Sequence, residues 1–248
     1  MKKVEYFFKN ILLNLLLFFK QLKSAEVKSI GDNSKILFIR LNRIGDALVT
    51  TPLLHEIKSK LKSEIYVLAD RKNYVAFNNN PDIDKLIIFE KGLKGVFNVL
   101  NFIKNEKIET IVDTHDDIST TVSFIIALAA AKNKYGLEKA NKNIYTKTIP
   151  QLERQNNHVI YRVLELSRLF NIEPEKSKSQ VHYNPVKESI KKVDSYLTDN
   201  NLQNKFLVGV NISAGSAARF WGIDKFKALL KYFSSYDLNI ILLTAAAI

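Results

Sequence analysis

The sequence predicts an α/β fold in which helices cover a parallel sheet. Three observations carry this. Short, continuous apolar runs alternate with segments of helical periodicity between residues 35 and 137. Glycine, asparagine and proline punctuate the joins. The alternation restarts near residue 205, as if a second α/β unit were opening.

ILFI (36–39) has the length and apolarity of a buried strand. Gly45 to Leu61 reads as one helix kinked at Pro52, since proline lacks an amide proton and crowds the preceding turn. EIYVLA (64–69) is a strand, NNNPDID (78–84) a turn and KLIIFE (85–90) a third strand. VFNVLNFIKN (96–105) sets Val96, Val99, Leu100 and Ile103 at helical spacing. TIVDT (110–114) is a strand, TTVSFIIALAAA (120–131) a helix and KYGL (134–137) a short strand. Residues 138–154 show no regular pattern. HVIYRVLELSRLF (158–170) and VKESIKKVDSYL (186–197) are helical. KFLVGVNIS (205–213), FKALLKYFSS (226–235) and LNIILLTAA (238–246) then follow as strand, helix and strand. Three regions result: a basic N-terminal helix and linker (1–34), a first α/β domain (35–185) and an incomplete second one (186–248). Two strands and one helix cannot bury both faces of a sheet.

The 248 residues contain no cysteine, which excludes a disulfide framework, a cysteine nucleophile and thiolate zinc sites. A net charge of +12 favours anionic partners: nucleic acid, acidic lipid or phosphorylated small molecules. Nucleic acid is disfavoured, because the aromatics fall at core spacing and no recognition motif is present. At the N-terminus, Lys3, Asn10, Asn14 and Gln21 form a polar stripe flanked by Lys2, Lys9 and Lys20. Phe8, Ile11, Leu15, Phe18, Phe19 and Leu22 lie opposite. No run approaches the ~18–20 apolar residues of a spanning helix. The pattern suits a helix lying on an anionic membrane surface through residues 2–23. A helix docked on the protein's own core is one alternative. A secretory signal is another, with a poor cleavage site at KSAEV.

Two strand-to-helix loops carry the chemistry. In RLNRIGDALVTTPLL (40–54), Gly45 permits a tight turn and close approach of a ligand to the backbone. Asp46 follows in the first helical turn, at the carboxyl end of a strand, where open α/β sheets bind ligands. Helix N-termini attract anions, yet an aspartate there also gains about 0.3–1 kcal/mol from the helix dipole without any function. Asn42 and Arg43 flank the position. The loop is neither a dinucleotide fingerprint nor a P-loop. In NISAGSAARFWGIDKF (211–226), Ser213, Gly215 and Ser216 offer amides and hydroxyls to a phosphate. Arg219 can pair bidentately with phosphate oxygens, and Trp221 is expected to anchor the loop from beneath.

Taken in order, ILFIRLNRIGDALVTTPLLHEIKSKL, NNNPDIDKLIIF, TIVDTHDDIS, HVIYRVLEL and VGVNISAGSAARFWGIDKF resemble the landmarks of glycosyltransferase family nine. These are the ADP-heptose:lipopolysaccharide heptosyltransferases and their relatives. The resemblance implies a GT-B-like fold of two Rossmann-like domains, the N-terminal one for the acceptor and the C-terminal one for the nucleotide sugar. It implies inverting transfer without a metal or other cofactor, from a nucleotide-diphosphate sugar such as ADP-heptose. The acceptor would be a lipopolysaccharide core or other surface glycan, at the inner face of a bacterial cytoplasmic membrane. The catalytic aspartate of the family's motif falls on Asp46, as general base towards the acceptor hydroxyl. The basic residue of the second loop is usually lysine; here Arg219 holds the place. Ser119 stands where many members carry a basic residue, which argues against an acidic acceptor sugar. The sequence stops at Ile248, short of the family's usual length, so a truncated, non-catalytic remnant with an acceptor-binding domain is the alternative.

Other signals carry less. Asp82 and Asp84 match a DxD metal pattern but sit in a turn. Asp113, His115, Asp116 and Asp117 read first as a solvated loop, with Asp113 or His115 lining a site as the second reading. His158 and Arg162 share a helix face, and Arg162 is a candidate for the acceptor side. No GxSxG elbow supports serine catalysis.

Overall fold

A computed structural model describes residues 33–41, 43–176 and 179–244. The N-terminal helix expected over residues 2–23, and Asn42, lie outside them. The chain divides into two compact units, Met1–Pro185 and Val186–Ile248.

The first unit is a six-stranded parallel sheet in the order β3-β2-β1-β4-β5-β6. Its strands are β1 (Lys35–Arg40), β2 (Glu64–Asp70), β3 (Lys85–Phe89), β4 (Thr110–Asp113), β5 (Asn133–Leu137) and β6 (Lys147–Ile149). Phe38 of β1 lies opposite Val67 on one side and Val112 on the other. From β1 the chain builds outward to β3, then returns and builds outward from β4. The sheet therefore reverses between β1 and β4, and loops leaving those two strands part to opposite faces. A crevice at such a reversal is where doubly wound sheets hold ligands.

Both faces of β1 are covered, so its apolar residues run unbroken. Ile36 and Phe38 pack with Leu53, Leu54 and Ile57 of α2 (Thr51–Lys60). Leu37 and Ile39 pack with Val99 and Ile103 of α3 (Leu93–Asn105) and Val122 and Ile125 of α4 (Thr120–Leu128). All four strand side chains are completely buried, each contributing about 1.5–3 kcal/mol.

Four details differ from the sequence reading. The helix expected over 45–61 is two helices, α1 (Ile44–Leu48) and α2, with Val49 and Thr50 as a corner. Pro52 has no N–H for the Leu48 carbonyl, and the Thr51 hydroxyl donates to that oxygen instead at 2.8 Å. The 158–170 helix is α5 (Val159–Leu164) followed by a 3₁₀ segment, Glu165–Phe170. Helix α4 stops at Leu128, three residues early. Strand β6 lies in the stretch without a pattern, because a three-residue, half-buried edge strand is too short to show one.

The second unit contains α6 (Lys187–Asp199), β7 (Leu207–Asn211), α7 (Ile223–Phe233) and β8 (Asn239–Leu243). Strands β7 and β8 pair in parallel, from Leu207 opposite Asn239 to Asn211 opposite Leu243. Trp221 is not a buried anchor: it is 49% exposed and rests edge-on against Phe226. Among the described residues no helix is long and apolar enough to cross a membrane.

Candidate active site

A cleft of about 340 Å³ opens beside the carboxyl ends of β1 and β4, lined by Arg40, Arg43, Asp46, Asp116, Asp117, Arg154, Val159 and Arg162. Asp46 reaches it from α1. Its carboxylate is 36% exposed, and its nearest charged neighbour, Arg40, is 3.8 Å away. No hydrogen bond to that carboxylate exists among the described residues. Two expectations about this loop need correction. Helix α1 has only five residues, too few to build a macrodipole that would govern an anion site. Gly45 adopts no glycine-specific conformation, and a Cβ there would meet nothing within 4 Å. The glycine leaves open space beside Asp46 rather than shaping the turn.

The cleft is polar and incompletely satisfied. Arg40, 2% exposed at the end of β1, donates to the Thr114 carbonyl. Burial pulls its pKa down, and Asp46, Asp116, Asp113 and Asp117 push back. Arg162 of α5 pairs with Asp116 at 2.7 Å, both side chains 14% exposed. Arg154 holds the Asp117 carboxylate at 2.5 Å. Three buried atoms, Arg40 Nε, Asp116 Oδ1 and Arg162 Nε, have no hydrogen-bond partner among the described residues. The Arg43 guanidinium has none there either and stands exposed. Buried polar groups left open at one cleft call for a partner, which water or a polar ligand can supply.

Beneath the cleft lies a buried network. Asp113 and His115 are each 1% exposed, so the solvated-loop reading fails for both. The reason is position: β4 lies between β1 and β5, and its end is roofed by neighbouring loops. The Leu41 N–H donates to His115 Nε2 at 3.1 Å. That leaves the ring proton on Nδ1, which donates to Asp113 Oδ1 at 2.7 Å. Lys139 donates to Asp113 Oδ2 at 2.7 Å, and the Tyr145 hydroxyl does so at 2.6 Å. Burial alone would raise the Asp113 pKa; His115 and Lys139 more than reverse this and hold it well below the usual carboxylate range. Burial, then Asp113, drives the Tyr145 phenol far above its ordinary value.

The remaining candidates are placed as follows. Ser119 caps α4, its hydroxyl facing the Val122 amide at 3.5 Å. The positive charge of the cleft comes instead from Arg40, Arg43, Arg154 and Arg162. Arg154 escaped the sequence reading, because it lies in a stretch without periodicity; Arg40, one of the two arginines before Gly45 and Asp46, was given no role there. In the second unit, Ser213, Gly215, Ser216 and Arg219 share one exposed loop after β7. The Asn211 carboxamide organises it, accepting from the Ser213 amide at 3.0 Å and from its hydroxyl at 2.7 Å. Gly215, like Gly45, has open space where a Cβ would be. The DxD aspartates diverge: Asp84 binds Lys58 at 2.6 Å and the Ile65 amide at 2.7 Å, while Asp82 binds His55 at 3.1 Å.

Strand order and cleft position define a doubly wound α/β protein with a polar cleft at the sheet reversal. The fold matches GT-B-like heptosyltransferase structures. A glycosyl transferase family 9 protein from Veillonella parvula aligns over 89% of this chain and 64% of its own, with a TM-score of 0.72 at 20% identity. E. coli heptosyltransferase WaaC with ADP aligns over 86% and 67%, with a TM-score of 0.60 at 12% identity. E. coli ADP-heptose lps heptosyltransferase II aligns over 84% and 63%, with a TM-score of 0.61 at 13% identity. The chain thus spans roughly two thirds of the length of these structures. No family model and no curated protein sequence matches it.

Proposed function

We propose that the chain is a glycosyltransferase of family nine, transferring a sugar from a nucleotide-diphosphate donor to a glycan acceptor with inversion. One observation carries this: a half-open carboxylate, free of hydrogen bonds among the described residues, at the mouth of an under-satisfied polar cleft. A sugar hydroxyl is a weak nucleophile, and a carboxylate within reach removes its proton as it attacks. Asp46 takes that proton, the acceptor oxygen bonds to C1, and the C1–O bond to the diphosphate breaks on the opposite face. Arg43 and Arg162 orient the acceptor. Taken by itself, the exposed loop of the second unit, with Arg219, Ser213, Gly215 and Ser216, offers a guanidinium, hydroxyls and amides suited to a diphosphate. The likeness to heptosyltransferases favours ADP-heptose as donor and a lipopolysaccharide-core sugar as acceptor. Arg43, exposed and without an ion pair among the described residues, leaves one cation at the cleft for an acidic acceptor, which weakens the objection that Ser119 raised. The basic N-terminal segment suits work at the inner face of a cytoplasmic membrane.

The test is release of ADP from ADP-heptose by the full chain in the presence of a lipopolysaccharide-core acceptor. Asp46→Asn should lower kcat/KM by about 10²–10⁴-fold. Equal turnover by the variant would refute the assignment of the base. Titration calorimetry with ADP-heptose separates an enzyme from an acceptor-binding remnant. Binding supports transfer; its absence at millimolar donor, with acceptor still bound, supports the remnant.

A further inference from the structure

We infer that His55, Asp82 and His182 form a site for a divalent transition-metal ion of the zinc class, apart from the proposed active site. None of the three lines the cleft that holds Asp46. His55 stands on α2, Asp82 in the turn before β3 and His182 in the segment that closes the first unit. One ligand atom from each lies within 4.8 Å of the others. His55 Nδ1 is 3.1 Å from Asp82 Oδ2. The two imidazoles stack with centroids 4.3 Å apart. The His182 amide donates to the Thr51 hydroxyl at 2.8 Å, so the segment is pinned to the helix that carries His55. Ligands 2.0–2.1 Å from a tetrahedral zinc sit about 3.3 Å from one another. Side-chain rotations that open the ring stack would bring the three ligand atoms, now within 4.8 Å of one another, to that spacing.

The donor set selects the ion. Two imidazoles and one carboxylate suit Zn²⁺, Co²⁺ or Ni²⁺, whereas Mg²⁺ and Ca²⁺ require several oxygens. A second observation points the same way. A cavity of about 510 Å³ adjoins the cluster, and Glu56 lines it beside His55 and His182. Glu56 is 7% exposed, and its Oε1 has no hydrogen-bond partner among the described residues. A buried carboxylate oxygen without a donor is costly, and a cation at the cluster offsets that charge. Lys60, which shares the cavity, is paired with Glu175 at 2.9 Å. The ion would tie α2, the turn before β3 and the segment around residue 182 together, with a position left for water.

The test uses the full chain without an affinity tag, titrated with Co²⁺ and followed by its visible d–d absorption, then displaced with Zn²⁺. One equivalent at micromolar affinity or tighter is expected. His55→Gln, His182→Gln and Asp82→Asn should each weaken binding by at least the ~10–100-fold that loss of an outer-shell partner costs. His158→Gln, at an exposed histidine elsewhere, should not. The unfolding midpoint should rise with Zn²⁺ in the wild type and stay unchanged in the His55→Gln/His182→Gln double variant. The inference is overturned if wild-type binding needs millimolar metal, or if the double variant binds as the wild type does. Neither result bears on Asp46.

Discussion

Asp46 follows β1 and Asp113 ends β4, strands that lie side by side in the sheet. The side chain of Asp46 is 36% exposed, with a guanidinium at 3.8 Å. That of Asp113 is 2% exposed and bonded to His115, Lys139 and Tyr145. The difference lies in what covers each strand end. The chain leaving β1 turns through one short helix and leaves Asp46 at a rim. The end of β4 is roofed by the segment carrying Lys139 and Tyr145. One carboxylate is thus open to a ligand, and the other is enclosed by its partners. They remain connected, because His115 holds the Leu41 amide and the Thr114 carbonyl holds Arg40. The buried carboxylate steadies the loop from which the open one projects.

Disrupting Asp113 should produce the largest effect. Asp113→Ala leaves Lys139 buried without its counter-charge and should destabilise the fold by about 3–5 kcal/mol, read by urea denaturation. A loss under about 1 kcal/mol would erase the contrast between the two aspartates. The effect has a pH signature. The folded pKa of Asp113 is depressed and an unfolded aspartate titrates near 3.9. Its contribution is therefore complete above about pH 5 and is lost as pH falls below the unfolded value towards the folded one. The stability gap between wild type and Asp113→Asn should be flat from pH 7 to 5 and narrow below about pH 4.

A smaller effect is expected at Gly136. A Cβ there would sit 2.7 Å from the Tyr145 ring, which carries one of the bonds to Asp113. Gly136→Ala should cost about 1–3 kcal/mol through this crowding, measured by the same denaturation. Asp46→Asn should have the least effect on stability, within about 0.5 kcal/mol of wild type. A large stability loss there would place Asp46 with Asp113 as a structural group and remove its claim to the chemistry.

Much of this was readable from residue order. The strands around ILFI, EIYVLA and TIVDT announce themselves because both faces of the sheet are covered and every side chain must be apolar. Asp46 was visible because it stands in the first turn of the helix that follows such a strand, which places it near the strand's carboxyl end. Arg154, Lys139 and Tyr145 were not visible. They come from a stretch whose one strand has three residues, and their roles depend on what β4 and α5 bring near them. The pairing of His55 with His182 was equally hidden, since 127 residues separate them and no local periodicity links them.

By itself the sequence determined the α/β class, the course of the first five strands and the carboxylate at the first strand end. These follow from local rules, in which apolar run length, helical spacing and turn residues act within a few positions. Tertiary structure alone decided that Asp113 is buried while Asp46 is open, that four arginines gather at one cleft, and that two distant histidines stack beside one aspartate. Burial and electrostatic partnership depend on contacts between residues far apart in the chain. No local pattern encodes such contacts until the sheet order brings the residues together.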